Sequence, residues 1–87
     1  MRVLLVEDDY QLGETLKSAL CLENYAVDLE TDGARVIPML EAGDYDLMVL
    51  DLGLPNVSGD EILKKLRAAD DPLPVLVLTA RDTTEEK

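Results

Sequence analysis

The sequence predicts an α/β fold built on an open, doubly wound parallel sheet. Three short runs are apolar without alternation, residues 3–6, 47–50 and 75–78, as in strands buried on both faces. The stretches between them repeat apolar residues at helical spacing, and each run stops abruptly at polar residues. Strands alternating with helices imply parallel pairing with helices on both faces.

Taken in order, Val3, Leu4, Leu5 and Val6 form the first strand, ended by Glu7, Asp8 and Asp9. Residues 10–24 place Leu12, Leu16, Ala19 and Leu20 on one side of an amphipathic helix. Tyr25, Val27 and Leu29 then alternate, predicting a strand over 25–30 near a sheet edge, closed by a turn at Thr31, Asp32 and Gly33. Residues 34–43 fit a short helix in which Pro38 removes a backbone donor, so a kink or a late start is expected. Leu47, Met48, Val49 and Leu50 make a strand ending at Asp51, followed by a loop of Gly53, Pro55, Asn56 and Ser58. Ser58 with Glu61 has capping-box spacing, and Ile62, Leu63, Leu66 and Ala69 give the stripe of a third helix, stopped by Asp70, Asp71 and Pro72. Val75, Leu76, Val77 and Leu78 form the last strand, ended by Thr79 and Ala80, and 81–87 is polar enough to begin another helix.

At 87 residues the chain holds one domain at most, and 47% apolar content supports a packed core. Its net charge of −11 would repel nucleic-acid phosphates and anionic lipid heads, so direct nucleic-acid contact from this segment is not expected. With no histidine there is no imidazole base and no His-ligated zinc, and Cys21 alone forms no internal disulfide. Cys21 reads as a small packing residue, and Tyr10, Tyr25 and Tyr45 suggest no specific role. No run approaches the ~20 apolar residues of a membrane span, and the first residues lack a secretory signal, so a cytoplasmic location is the expectation.

In doubly wound sheets ligands bind beyond the carboxyl ends of the strands. There the sequence places Glu7, Asp8 and Asp9 after one strand, Asp51 after another and Thr79 after the last. One acid past a strand is most often only solvated loop, but acids after two buried strands with a threonine after a third exceed what packing requires. Converging carboxylates without His or Cys select a hard cation such as Mg2+, which would also shield an incoming phosphoryl group. Asp51 is the best nucleophile candidate: it ends a rigid strand, and Gly53 leaves a backbone carbonyl open to a metal. Thr79 offers a hydroxyl to a phosphoryl oxygen, and Ala80 leaves room beside it.

Three segments carry a resemblance: Val-Leu-Leu-Val-Glu-Asp-Asp at 3–9, Asp-Leu-Met-Val-Leu-Asp-Leu-Gly-Leu-Pro at 46–55 with Gly59, and Pro-Val-Leu-Val-Leu-Thr-Ala at 74–80. They resemble the receiver domain of bacterial response regulators, and Leu-Gly-Leu-Pro at 52–55 with Leu-Thr-Ala-Arg-Asp at 78–82 is most similar to the OmpR/PhoB-type transcription regulators. The resemblance implies a flavodoxin-like sheet in which Asp51 accepts a phosphoryl group from a sensor histidine kinase. It further implies that Glu7 and Asp8 hold Mg2+ with Asp51 and the Gly53 carbonyl, that Thr79 is the switch hydroxyl, and that the output is transcription. It also implies one more strand and two more helices, with a phosphoryl-pairing lysine and an aromatic switch residue, none of which this sequence contains. The expectation is therefore a receiver domain over 1–87, incomplete at its C-terminus, whose last strand exposes an apolar edge, so that residues 1–87 alone either fold poorly or self-associate through it.

Two other readings stand beside it. One is a Mg2+-dependent aspartate-nucleophile phosphohydrolase of the haloacid dehalogenase type, against which Gly53 stands where that family keeps a general acid. The other is an inert binding module with a solubilising acidic rim.

Overall fold

The computed structural model of the chain describes residues 1–54 and 57–78. Four strands, β1 (Arg2–Val6), β2 (Ala26–Glu30), β3 (Leu47–Asp51) and β4 (Val75–Leu78), pair in parallel in the order β2-β1-β3-β4. Helices α1 (Tyr10–Leu22), α2 (Val36–Ala42) and α3 (Gly59–Ala68) connect them. The order reverses between β1 and β3, the place where such sheets open a crevice. The alternating strand indeed lies at an edge, as β2, while the unbroken apolar runs of β1 and β3 fill the centre.

Side chains alternate across the sheet, so the chain builds two cores. Leu4, Val6, Met48 and Leu50 meet Val36 of α2 and Ile62 and Leu66 of α3 on one face. Val3, Leu5, Val27 and Val49 meet Leu16 and Leu20 of α1 on the other. Helix α1 differs from its sequence reading in detail: Leu12 and Ala19 face solvent and Gly13 is buried against Leu29, because the stripe points only at β1 and β2. Cys21, expected to pack, is exposed for the same reason.

Local chemistry sets the helix ends. Asp9 caps α1, its carboxylate accepting from Leu12 N–H at 3.1 Å, and Ser58 caps α3, accepting from Glu61 N–H at 3.2 Å. Helices α1 and α3 both end in Schellman motifs. After α1, Asn24 N–H donates to Cys21 C=O and Tyr25 N–H to Leu20 C=O; after α3, Asp70 N–H donates to Arg67 C=O and Asp71 N–H to Leu66 C=O. Asn24 (φ 71°) and Asp70 (φ 56°) take the left-handed positions, which Asn and Asp tolerate best after glycine. Asn24 ends α1 at Leu22, two residues before the periodicity would. The late start expected around Pro38 is found: a 3-10 turn over Gly33–Arg35 precedes α2, and Pro38 falls in the first helical turn, where no N–H partner is lost.

At the opposite end from the acids, Tyr45 donates its hydroxyl to Asp28 at 2.6 Å, Arg2 pairs with Asp28 at 3.1 Å, and the Arg2 guanidinium lies 4.6 Å from the centre of the Tyr45 ring. The Tyr45 hydrogen bond, with Arg2 behind it, holds the Asp28 carboxyl below its usual range. Tyr45, without a role in the sequence reading, thus ties the start of β3 to β2.

Gly59 lets α3 start directly against the turn after β3. A Cβ there would stand 2.6 Å from Leu52 Cδ2 and 2.9 Å from Leu52 Cα. Gly59→Ala is therefore expected to lower unfolding stability by roughly 1–3 kcal/mol through overpacking, against about 1 kcal/mol for removing the cap in Ser58→Ala. Urea titration of both variants measures this, and a Gly59→Ala protein as stable as the parent would contradict the close approach.

Candidate functional site

Strands β1 and β3 run side by side in register, Val6 opposite Leu50, so the residues that follow emerge at the same edge. Glu7 continues the β1–β2 ladder by donating its N–H to Glu30 C=O at 3.1 Å, and Asp51 closes β3 opposite Leu78. Carboxylate oxygens of Glu7, Asp8 and Asp51 all lie within 4.8 Å of one another. Glu7 is buried at 4% exposure, Asp51 is half-buried and Asp8 is exposed, so the group opens to solvent at Asp8.

Each acid is differently held. Glu7 Oε2 accepts Asp9 N–H at 3.3 Å, and Asp51 Oδ1 accepts Gly53 N–H at 2.9 Å, a two-residue turn that fixes the carboxylate at the end of its strand. Asp9 caps α1, and Glu7, Asp8 and Asp51 make the cluster without it. Among the described residues the ion pairs are Arg2–Asp28 and Arg35–Glu30, and neither includes a member of the cluster. Burial first, and then the neighbouring Asp51 carboxylate, push the Glu7 carboxyl up to about 7.

Three acidic side chains on a rigid strand edge, with no basic partner among the described residues, are a donor set of oxygen alone. That set fits a hard divalent cation such as Mg2+, which takes one or two carboxylates and keeps several waters. Of the residues singled out in the sequence, the structure thus brings together Glu7, Asp8 and Asp51, with Gly53 bonded to Asp51. Thr79, Ala80 and Pro55 lie outside the described residues. No described helix is long and apolar enough to cross a membrane.

Known proteins resemble the chain in sequence and fold. The chain is 40% identical over all 87 residues to the response regulator MprA of Mycobacterium avium and 45% identical to the transcriptional regulatory protein QseB of Haemophilus influenzae. It spans 38% and 39% of those proteins' lengths. Among solved structures, the receiver domain of the Francisella response regulator 1452 superposes with a TM-score of 0.88 at 28% identity, over 95% of this chain and 69% of that one. The response regulator TrrA of Thermotoga maritima, solved in complex with Mg2+ and BeF, also gives 0.88, at 32% identity over 93% of this chain and 70% of that one. The family model for the response regulator receiver domain matches residues 3–87, and with the sheet order and the acidic edge already described, the chain belongs to that family.

Proposed function

We propose that the chain is the phosphoacceptor of a two-component pathway: Asp51 takes a phosphoryl group from a sensor histidine kinase, with Mg2+ held by Glu7, Asp8, Asp51 and the Gly53 carbonyl. The single observation that carries this reading is the convergence of the three carboxylates at the β1–β3 edge. The likeness to TrrA, whose structure holds Mg2+ and BeF, supports it. Mg2+, when bound, would supply positive charge against the repulsion between these acids and an incoming phosphoryl group.

The chain's own groups divide the remaining work. Asp51 presents a carboxylate oxygen as nucleophile; as its O–P bond forms, the N–P bond of the donor phosphohistidine breaks and the imidazole keeps the electron pair. Gly53 N–H engages Oδ1, which steadies the carboxylate and leaves its other oxygen for the attack. Asp8, exposed at the mouth, would hold the metal directly together with Asp51 and the Gly53 carbonyl, and buried Glu7 would act mainly through ordered water. Thr79 is assigned the hydroxyl that donates to the phosphoryl group. The domain is a phosphoacceptor with at most self-catalysed transfer and loss of the phosphoryl group, and not a turnover enzyme. By analogy with QseB, the output is transcription through a DNA-binding region elsewhere, in the cytoplasm. Gly53, which cannot shuttle a proton, disfavours the phosphohydrolase alternative.

Incubation with an acyl phosphate or phosphoramidate tests the reading by intact-mass analysis. The parent is expected to gain one acid-labile phosphoryl group that Asp51→Asn loses completely, and unchanged labelling of the variant would overturn the assignment. Calorimetric titration with Mg2+ is expected to show Asp8→Ala binding at least about tenfold more weakly than the parent. Asp9→Ala should leave Mg2+ affinity within about twofold and instead cost about 1 kcal/mol of stability, as the loss of a helix cap does. Equal loss of affinity in the two variants would put the metal on the wrong acids.

A further inference from the structure

The proposed function gives no part to the turn between β2 and α2, yet that turn touches both halves of the acidic site. Glu30, which leads into it, accepts Glu7 N–H with its carbonyl at 3.1 Å. The Glu30 carboxylate accepts Asp32 N–H at 2.9 Å and pairs with Arg35 Nε at 3.6 Å, and Asp32 Oδ1 accepts Ala34 N–H at 3.0 Å. The turn is thus tied to the end of β2. At its buried centre is Gly33, where a Cβ would stand 3.0 Å from the Val57 carbonyl oxygen, 3.1 Å from Leu54 Cδ1 and 3.3 Å from Val57 Cβ. Gly33 does not have a positive φ, so the position demands room and not a left-handed backbone.

We propose that Gly33 is a positioning residue of the Asp51 site: its bare backbone seats the segment after β3 and so sets the direction of the Gly53 carbonyl. The proposal rests on the reading of that carbonyl as a metal ligand. Leu54 and Val57 belong to the segment that joins Asp51 to α3, Leu54 buried in the core with Val36 and Ile62 and Val57 packed against the same core. The Gly53 carbonyl and the Leu54 N–H share one planar peptide unit, so whatever fixes the Leu54 backbone also aims that carbonyl. A methyl group at position 33 could turn the end of the Leu54 side chain aside. The Val57 oxygen is backbone, and it yields a few tenths of an ångström only if the segment moves with it. At the other end of the segment, Gly59 lies as close to Leu52 and to the Asp51 carbonyl oxygen, so the displacement is confined between the two glycines and reaches Gly53.

The test compares Gly33→Ala with Leu20→Ala, which weakens the core on the other face of the sheet. In metal-free protein, the Gly53 amide resonance is expected to move upfield in Gly33→Ala, as its bond to Asp51 Oδ1 lengthens, and to stay in place in Leu20→Ala. By calorimetry, Gly33→Ala is expected to bind Mg2+ roughly tenfold more weakly than the parent, the loss that follows when a ligand's support is disturbed. Leu20→Ala should lower the thermal midpoint and leave Mg2+ affinity unchanged. A Gly53 amide that stays at its parent position in Gly33→Ala, or equal changes in the two variants, would overturn the proposal. A parent that binds no Mg2+ would overturn the metal reading instead, and the amide resonance would still decide the positioning. Should Gly33→Ala not fold, Glu30→Ala, which cuts the ties to Asp32 and Arg35, is expected to move the same resonance, and an unmoved one would overturn the proposal.

Discussion

The parallel pairing of β1 with β3 places two acidic strand ends side by side in a part of the chain that cannot move apart. Val3, Leu4, Leu5 and Val6 are fully buried, as are Met48 and Leu50 beside them. Burial of the four β1 side chains alone is worth roughly 6–12 kcal/mol. Two full like charges 4–5 Å apart cost about 3–4 kcal/mol at an effective dielectric of 20. Burial wins, and the register holds Glu7, Asp8 and Asp51 together against their repulsion. The cluster is therefore a product of packing, and its chemistry follows from how the repulsion is relieved.

Relief takes three forms. Glu7, the most buried of the three, retains its proton to near neutrality. Asp51 turns one oxygen to Gly53 N–H, and the next acid in sequence, Asp9, is drawn away to cap α1. What is left is an acidic cluster open at Asp8, an all-oxygen donor set that fits a hard cation. A charge surplus that costs stability in the free chain is the same feature that would favour a hard cation there.

Much of this was legible in the sequence, because apolar runs without alternation identify strands and their polar stops identify the edge where the acids gather. Val3 to Val6 and Val75 to Leu78 could be read directly, and Ser58 with Glu61 announced α3. What pattern could not supply was the partition of adjacent acids: Asp8 and Asp9 are chemically alike, and only the geometry of the first turn of α1 makes one a cap and leaves the other at the site. Helical spacing likewise identified Leu12, Leu16, Ala19 and Leu20 as one stripe, yet Leu12 and Ala19 face solvent because α1 crosses only β1 and β2. The Tyr45–Asp28–Arg2 contacts join residues far apart in sequence and leave no local signal.

The stability of the metal-free chain as a function of pH tests the central claim most directly. The Glu7 carboxyl titrates near 7 in the folded chain and at its ordinary 4.5 when unfolded, so between those values the native state binds the extra proton. The chain has no histidine, which leaves this window free of imidazole titration. Urea unfolding in the presence of a chelator should therefore show stability falling from pH 5 to pH 7, by roughly 1–3 kcal/mol, with the slope removed in Glu7→Gln. Stability that is flat or rises across that window in the parent chain would contradict the account.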